Sequence, residues 1–229
     1  MTLKNKLNII FEKVSAGYFA IFTGIVALVT VGFASLLYYL GDVSFSMSSH
    51  WISHLGNGPN NSGIAFTIGL IIAGILAIIF LIDFYHFVNK GMEGHRLLML
   101  ESFFASMVSV AGLLINAIWN YKDDPNLHVM GSATFFFGGF FMLIFYSIAM
   151  FYSPSISRNQ AYIGFAAASV FGIYLINFLP FTFDPNVDLM ELLLTTDPRA
   201  SIIRVLEWAV FFAVIFWFIE IGIYQLKVR

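Results

Sequence analysis

Few residues in this sequence could do chemistry, and they fall into two groups. In the first, Ser48-Ser49-His50-Trp51-Ile52-Ser53-His54-Leu55-Gly56 follows the first long apolar run. Read as a short helix with a serine cap and a glycine stop, it sets His50 and His54 at i and i+4 on one face, a metal-ligand spacing. His128 follows the acidic loop Lys122-Asp123-Asp124-Pro125, and Asn116, Trp119 and Asn120 close the preceding apolar run at the same level. Arg204 and Glu207, three residues apart, enter the last apolar run near its start. A compact arrangement would gather these groups in one pocket.

Several chemistries suit that set. His50, His54 and His128 with a carboxylate would hold a divalent metal, although no HExxH-type signature supports one. His128 and Glu207 would serve as acid and base. The planar fork of Arg204 would clamp an oxyanion, with Ser53, Asn116, His128 and Glu207 around it. The competing reading is interfacial polarity, with imidazoles at a water boundary and Arg204 paired to Glu207.

The second group is Asp83, His86, His95, Glu101 and Glu220. A proton or cation path would use such residues. Alternatively they snorkel to the interface or pair with Arg96 and Lys90. Only hydroxyls and an amide, Ser102, Ser106, Ser109 and Asn116, lie between the two groups. Without charges at mid-depth, proton-coupled transport is a poor fit, and no two histidines face each other to ligate a haem.

The elements that must position these residues are dictated by composition. The chain of 229 residues is 59% hydrophobic and 10% charged, against roughly 25% charged in soluble domains. Its 27 phenylalanines and 18 glycines match lipid-embedded helices. With no cysteine, disulfides, thiolate chemistry and iron–sulfur clusters are excluded. A net charge of −2 without a basic stripe excludes a nucleic-acid partner.

The pattern predicts an all-α integral membrane protein, a six-helix transmembrane bundle with helices at about 16–40, 63–87, 97–119, 128–152, 160–179 and 198–225. Each is near the ~20 residues that cross a bilayer. Residues 1–15 read as a short interfacial amphipathic helix, with Leu3, Leu7, Ile10, Phe11 and Val14 at helical spacing between lysines. Asp197 and Pro198 would start the last helix. With six spans, Lys4, Lys6, Lys13, Lys90, Arg96, Arg158, Lys227 and Arg229 share one side, and only Lys122, Arg199 and Arg204 the other. The positive-inside rule puts both termini in the cytoplasm and the first chemical group outside. Tyr38, Tyr39, Trp51, Trp119, Tyr121 and Trp208 would form the outer aromatic belt. Ala65, Gly69, Ala73 and Ala77, then Gly164, Ala168 and Gly172, read as helix-contact stripes. The loops at 41–62 and 180–200 are long and would cap an outward cavity.

Ile52-Ser53-His54-Leu55-Gly56, a Gly/Asn/Pro-rich turn, His128 with Phe135-Phe136-Phe137 after it, and Glu207-Trp208 together resemble a prokaryotic six-helix membrane family. Its mark is a Ser-x-Leu-Gly motif, and it is similar to the FRAG/DRAM/SFK membrane protein group. The resemblance spans nearly the whole chain; His54 departs from it, standing where the family carries an acidic residue. It implies a prokaryotic plasma membrane and, from the eukaryotic relatives, lipid remodelling or distribution, with Ser53, His128 and Glu207 as the family-like positions. The expectation is a lipid-interacting protein whose outer pocket takes a lipid headgroup, Arg204 holding its phosphate or carboxylate. The alternatives are a membrane-embedded lipid hydrolase or acyltransferase, with or without metal, and an accessory subunit with a protein partner or a second copy of the chain.

Overall fold

In lipid a chain must satisfy every backbone polar group internally, which leaves the helix as the spanning form for apolar runs of this kind. The computed structural model describes residues 15–90, 92, 94–180 and 200–228, and the backbone alone of 181–183. The interfacial helix expected over 1–15 therefore lies almost wholly outside the described residues, as do the Asp197-Pro198 start signal and most of the 180–200 loop. The helices are α1 (Ala16–Gly41), α2 (Ser62–Asn89), α3 (Arg96–Ile118), α4 (Pro125–Tyr152), α5 (Arg158–Phe183) and α6 (Ser201–Val228). All six are long and apolar enough to cross a membrane. At 23 to 28 residues, and 1.5 Å rise per residue, they are about 35–42 Å long. Among the described residues there is no strand.

Each helix packs on the next in sequence, and α6 packs on α1, so the six close into a ring. Glycine makes the closest crossings. At the α1–α6 seam a Cβ on Gly17 would meet the Gly222 carbonyl at 2.6 Å, and a Cβ on Gly222 the Gly17 carbonyl at 2.7 Å. Between α3 and α4, a Cβ on Gly112 would meet the Gly131 carbonyl at 2.6 Å, and one on Gly138 the Ser109 amide nitrogen at 2.6 Å. Such contacts matter in lipid, where packing rather than hydrophobicity holds helices together. The expected stripes do pack: Gly69 lies on Thr30 of α1, and Gly164 on Ser147 of α4 and Trp217 of α6. Their outward neighbours are large and apolar, among them Phe22, Val29 and Phe33 on α1 and Ile64, Ile68 and Ile72 on α2.

Three local expectations need correction. The helix read over 48–56 is a 3-10 helix at Ile52–Asn57, with Trp51 at its N-cap and Gly58 at its C-cap. Ser48 and Ser49 stay in the preceding turn, where Ser49 Oγ lies 2.8 Å from His50 Nδ1. The fourth membrane helix begins at Pro125 rather than at His128, because Asp124 accepts from Leu127 N at 3.0 Å and Pro125 takes the first helical position. His128 is thereby carried one turn into the helix. Of the outer aromatic belt, Tyr39 and Trp119 are exposed as expected, but Trp51, Tyr121 and Trp208 are buried in the bundle.

Candidate binding cavity

One face of the first two turns of α6 carries Arg204, Glu207 and Trp208, and all three reach for the backbone of residues 48–52. Glu207 Oε2 accepts the N–H of Ile52 at 2.9 Å. Ile52 opens the 3-10 helix, so its N–H has no partner inside that helix, and the carboxylate acts as its cap. Trp208 donates Nε1–H to the His50 carbonyl at 3.0 Å. Arg204 donates from Nη1 to the Ser48 carbonyl at 3.3 Å, and its guanidinium stands 5.5 Å from the Trp51 ring centre. Arg204 is fully buried. Arg204, read from sequence as an oxyanion clamp or alternatively as the partner of Glu207, holds the loop together with Glu207.

The loop so held forms one wall of a cavity of about 330 Å³. Trp51 and Ser53 come from the loop, His128, Ser132, Phe136 and Phe137 from α4, Tyr174 and Phe178 from α5, and Glu207 from α6. Glu207 and His128 are 7% and 4% exposed, as buried as the surrounding core. His128 Nδ1 lies 3.2 Å from the Trp119 carbonyl. A carbonyl only accepts, so Nδ1 carries the hydrogen and Nε2 is the nitrogen left for a ligand. With Oε2 of Glu207 bound to Ile52, Oε1 is the oxygen not engaged by the loop.

The remaining walls are apolar: Val129, Ala133, Phe136 and Phe137 on α4, and Leu175, Phe178 and Leu179 on α5. Ala133 is exposed and Phe137 is 39% exposed, so the cavity reaches the bundle surface on the α4 side. A second void of about 40 Å³ lies behind it, sharing Ser53, Ser132, Phe136 and Glu207. Asn116 lines that inner void rather than the main cavity, and its Nδ2 donates to Ser132 Oγ at 3.2 Å. The void in turn shares Leu113, Phe135 and Phe211 with a deeper apolar one of about 50 Å³.

Of the residues expected to bind ligand, Ser53, His128 and Glu207 therefore meet in one cavity, Asn116 stands just behind it, and Arg204 does not line it. The histidines expected to share a metal stand in a row instead. The rings of His50 and His54 are 5.5 Å apart, His54 and Tyr121 5.0 Å, and Tyr121 and His128 6.0 Å. Tyr121 thus separates His128 from the other two, and among the described residues no three His, Asp or Glu side chains group as a metal site. Burial lowers the pKa of His50, helped by Arg204 and opposed by Asp42. Burial pushes the Tyr121 hydroxyl up to about 12, with Tyr38 adding to the rise. Two hydrogen bonds from Ser44, from its side chain and its backbone, lower the Asp42 carboxyl.

Sequence reasoning missed Trp51, Ser132 and Tyr174. Tyr174 had a signal, being a tyrosine deep in an apolar run, where its hydroxyl needs a reason. The second chemical group does not assemble into a path. Asp83 is buried and accepts from Gln225 Nε2 at 2.8 Å, and Glu220 accepts from Gln160 Nε2 at 2.9 Å. His86, His95 and Glu101 are exposed. Asp83 is thus held inside the bundle by a glutamine rather than snorkelling out. Compared with protein-family models, curated proteins and solved structures, the chain matches none.

Proposed function

We propose that this protein binds a membrane amphiphile. Its apolar chain would lie between α4 and α5, and its polar end would meet Ser53, His128 and Glu207. The observation that carries this reading is the cavity itself. It has apolar walls, a polar end at which His128 and Glu207 are more than nine-tenths buried, and an opening on the α4 side. Ligand cavities of about 300–1,000 Å³ combine apolar linings with a few placed polar groups in this way. A polar group held in lipid at such cost asks for a function. The resemblance to the FRAG/DRAM/SFK group points toward lipids as well. We also propose that the cavity end faces outward and that both termini are cytoplasmic, as the basic residues divide.

Native mass spectrometry of the purified protein tests the binding. Wild type is expected to retain a co-purified lipid, and Ala133→Trp, which fills the side opening, to lose it. Retention by the variant, or a bare wild-type mass, would remove the support for a lipid site.

A second reading, hydrolysis of a lipid ester, draws on Ser53, His128 and Glu207 lining one cavity. It requires release of fatty acid from a monoacylglycerol supplied in micelles, abolished by His128→Ala. Binding without turnover leaves the first reading standing alone.

A further inference from the structure

We infer that the centre of the helix ring is a second binding site, dry and apolar, for a small nonpolar molecule of the size of a dissolved gas. This site does not depend on the lipid reading of the main cavity. It is the deepest void, about 50 Å³, walled by α1, α2, α3, α4 and α6, and none of its surface is polar. Two hydroxyl residues line it, and both are turned to backbone. Thr23 donates to the Phe19 carbonyl at 2.8 Å, and Ser109 to the Phe135 carbonyl at 3.1 Å. A buried water needs about two to four polar partners. The void offers none, so it stays free of water.

The space comes from residue size. Ala27 on α1 and Ala73 and Ala77 near the middle of α2 share the lining with Met142 on α4 and Phe218 on α6, and all five are buried. A larger apolar side chain at any of the three alanines would occupy the gap. In lipid, packing holds helices together, and atoms beside an empty gap forfeit contacts on that side. A nonpolar guest restores those contacts and needs no hydrogen bond. Away from the cavity the axis is plugged by aromatic rings. Phe218 packs on Phe80 at 5.7 Å between centres, Phe80 on Phe84 at 5.1 Å, and Phe84 on Tyr146 and Trp217 at 4.9 and 5.8 Å. Toward the cavity the way leads past Leu113, Phe135 and Phe211 into the void lined by Ser53, Asn116, Ser132 and Glu207. A lipid chain entering from the cavity would have to cross those polar groups, so a free molecule suits the centre better than the end of a chain. At about 10–15 Å³ per water-sized group, about 50 Å³ takes roughly three to five such groups.

Xenon is the probe. Crystals of the full-length protein are pressurised with the gas and its anomalous signal is located, for wild type and Ala77→Leu. The expected result is a xenon atom in wild type in contact with Ala73, Ala77, Met142 and Phe218, with occupancy at least about fivefold lower in Ala77→Leu. No xenon at the ring centre of wild type, or undiminished occupancy in Ala77→Leu, overturns the inference. Lipid-chain density running into the void also overturns it, and gives the space to the end of a chain. The same maps separate this site from the main cavity. Xenon at the centre beside a main cavity without lipid overturns the lipid reading alone, and lipid in the cavity with no xenon at the centre overturns this one alone. Should Ala77→Leu fail to fold, Ala73→Val fills the same space and is read in its place.

Discussion

Glu207 lines the cavity and also holds the loop, one of its oxygens accepting the Ile52 N–H. Removing the holding oxygen leaves a buried N–H without an acceptor, which costs about 1–3 kcal/mol. Glu207→Leu should therefore lower the thermal midpoint in detergent clearly, and Glu207→Gln, which still accepts, much less. Equal losses would mean that the bond to Ile52 contributes nothing. His50 gives a second test. Its folded pKa is lowered, chiefly by burial, so the unfolded chain takes up a proton at higher pH than the folded one. Stability should then fall as pH drops through about 6.5, the ordinary histidine value. His50→Gln should flatten that part of a midpoint profile measured from pH 7.5 to pH 5; an unchanged slope would assign the acid sensitivity elsewhere. At this scale the sequence was informative about Ser53, His128 and Glu207, because polar side chains at membrane depth stand out. It was less informative about Arg204, because one of its partners is the backbone carbonyl of Ser48, and a carbonyl leaves no trace in the residue types.

Helix extents were legible from hydropathy to within a few residues, since apolar length and bilayer thickness are matched. Errors arose where local hydrogen bonding decides. Asp124-Pro125 is a readable helix start, yet hydropathy alone hides it because the apolar run begins later. The 3-10 segment was misplaced because its cap comes from Glu207, 155 residues away, and not from the neighbouring serines. Crossings between helices can be tested through glycine. A Cβ on Gly112 would meet backbone of α4 at the Gly131 carbonyl and the Phe135 nitrogen, which cannot swing aside as a side chain can. Gly112→Ala should cost about 1–3 kcal/mol by overpacking. On α1, a Cβ on Gly32 would meet nothing within 4 Å, so Gly32→Ala should be neutral or stabilising by up to about 1 kcal/mol, the helix preference of alanine over glycine. Comparison of the two thermal midpoints checks this, and similar shifts would contradict close α3–α4 packing.

Among the described residues the molecule is a ring of six helices, with Ser53, His128 and Glu207 gathered toward one end. Number and apolarity of spans were plain in the sequence; that α6 closes the ring against α1 was not, because small residues mark contacts without naming partners. The orientation proposed above is open to a direct check, since the chain has no cysteine to complicate it. Single cysteines at Lys122 and Arg158 should differ in intact cells, with Lys122→Cys labelled by a membrane-impermeant maleimide and Arg158→Cys protected. The reverse pattern would invert the topology. The α1–α6 seam also has a consequence in time. During synthesis α1 emerges first of the six and α6 last, about 200 residues later, which at about 5–20 residues per second is a wait of about 10–40 s. For that interval the Gly17–Gly24 face of α1 faces lipid or a chaperone in place of α6. A ribosome that stalls before α6 would leave an open seam, and with it no Glu207 to finish the loop, so an incomplete chain is exposed to quality control by the same contact that completes the cavity.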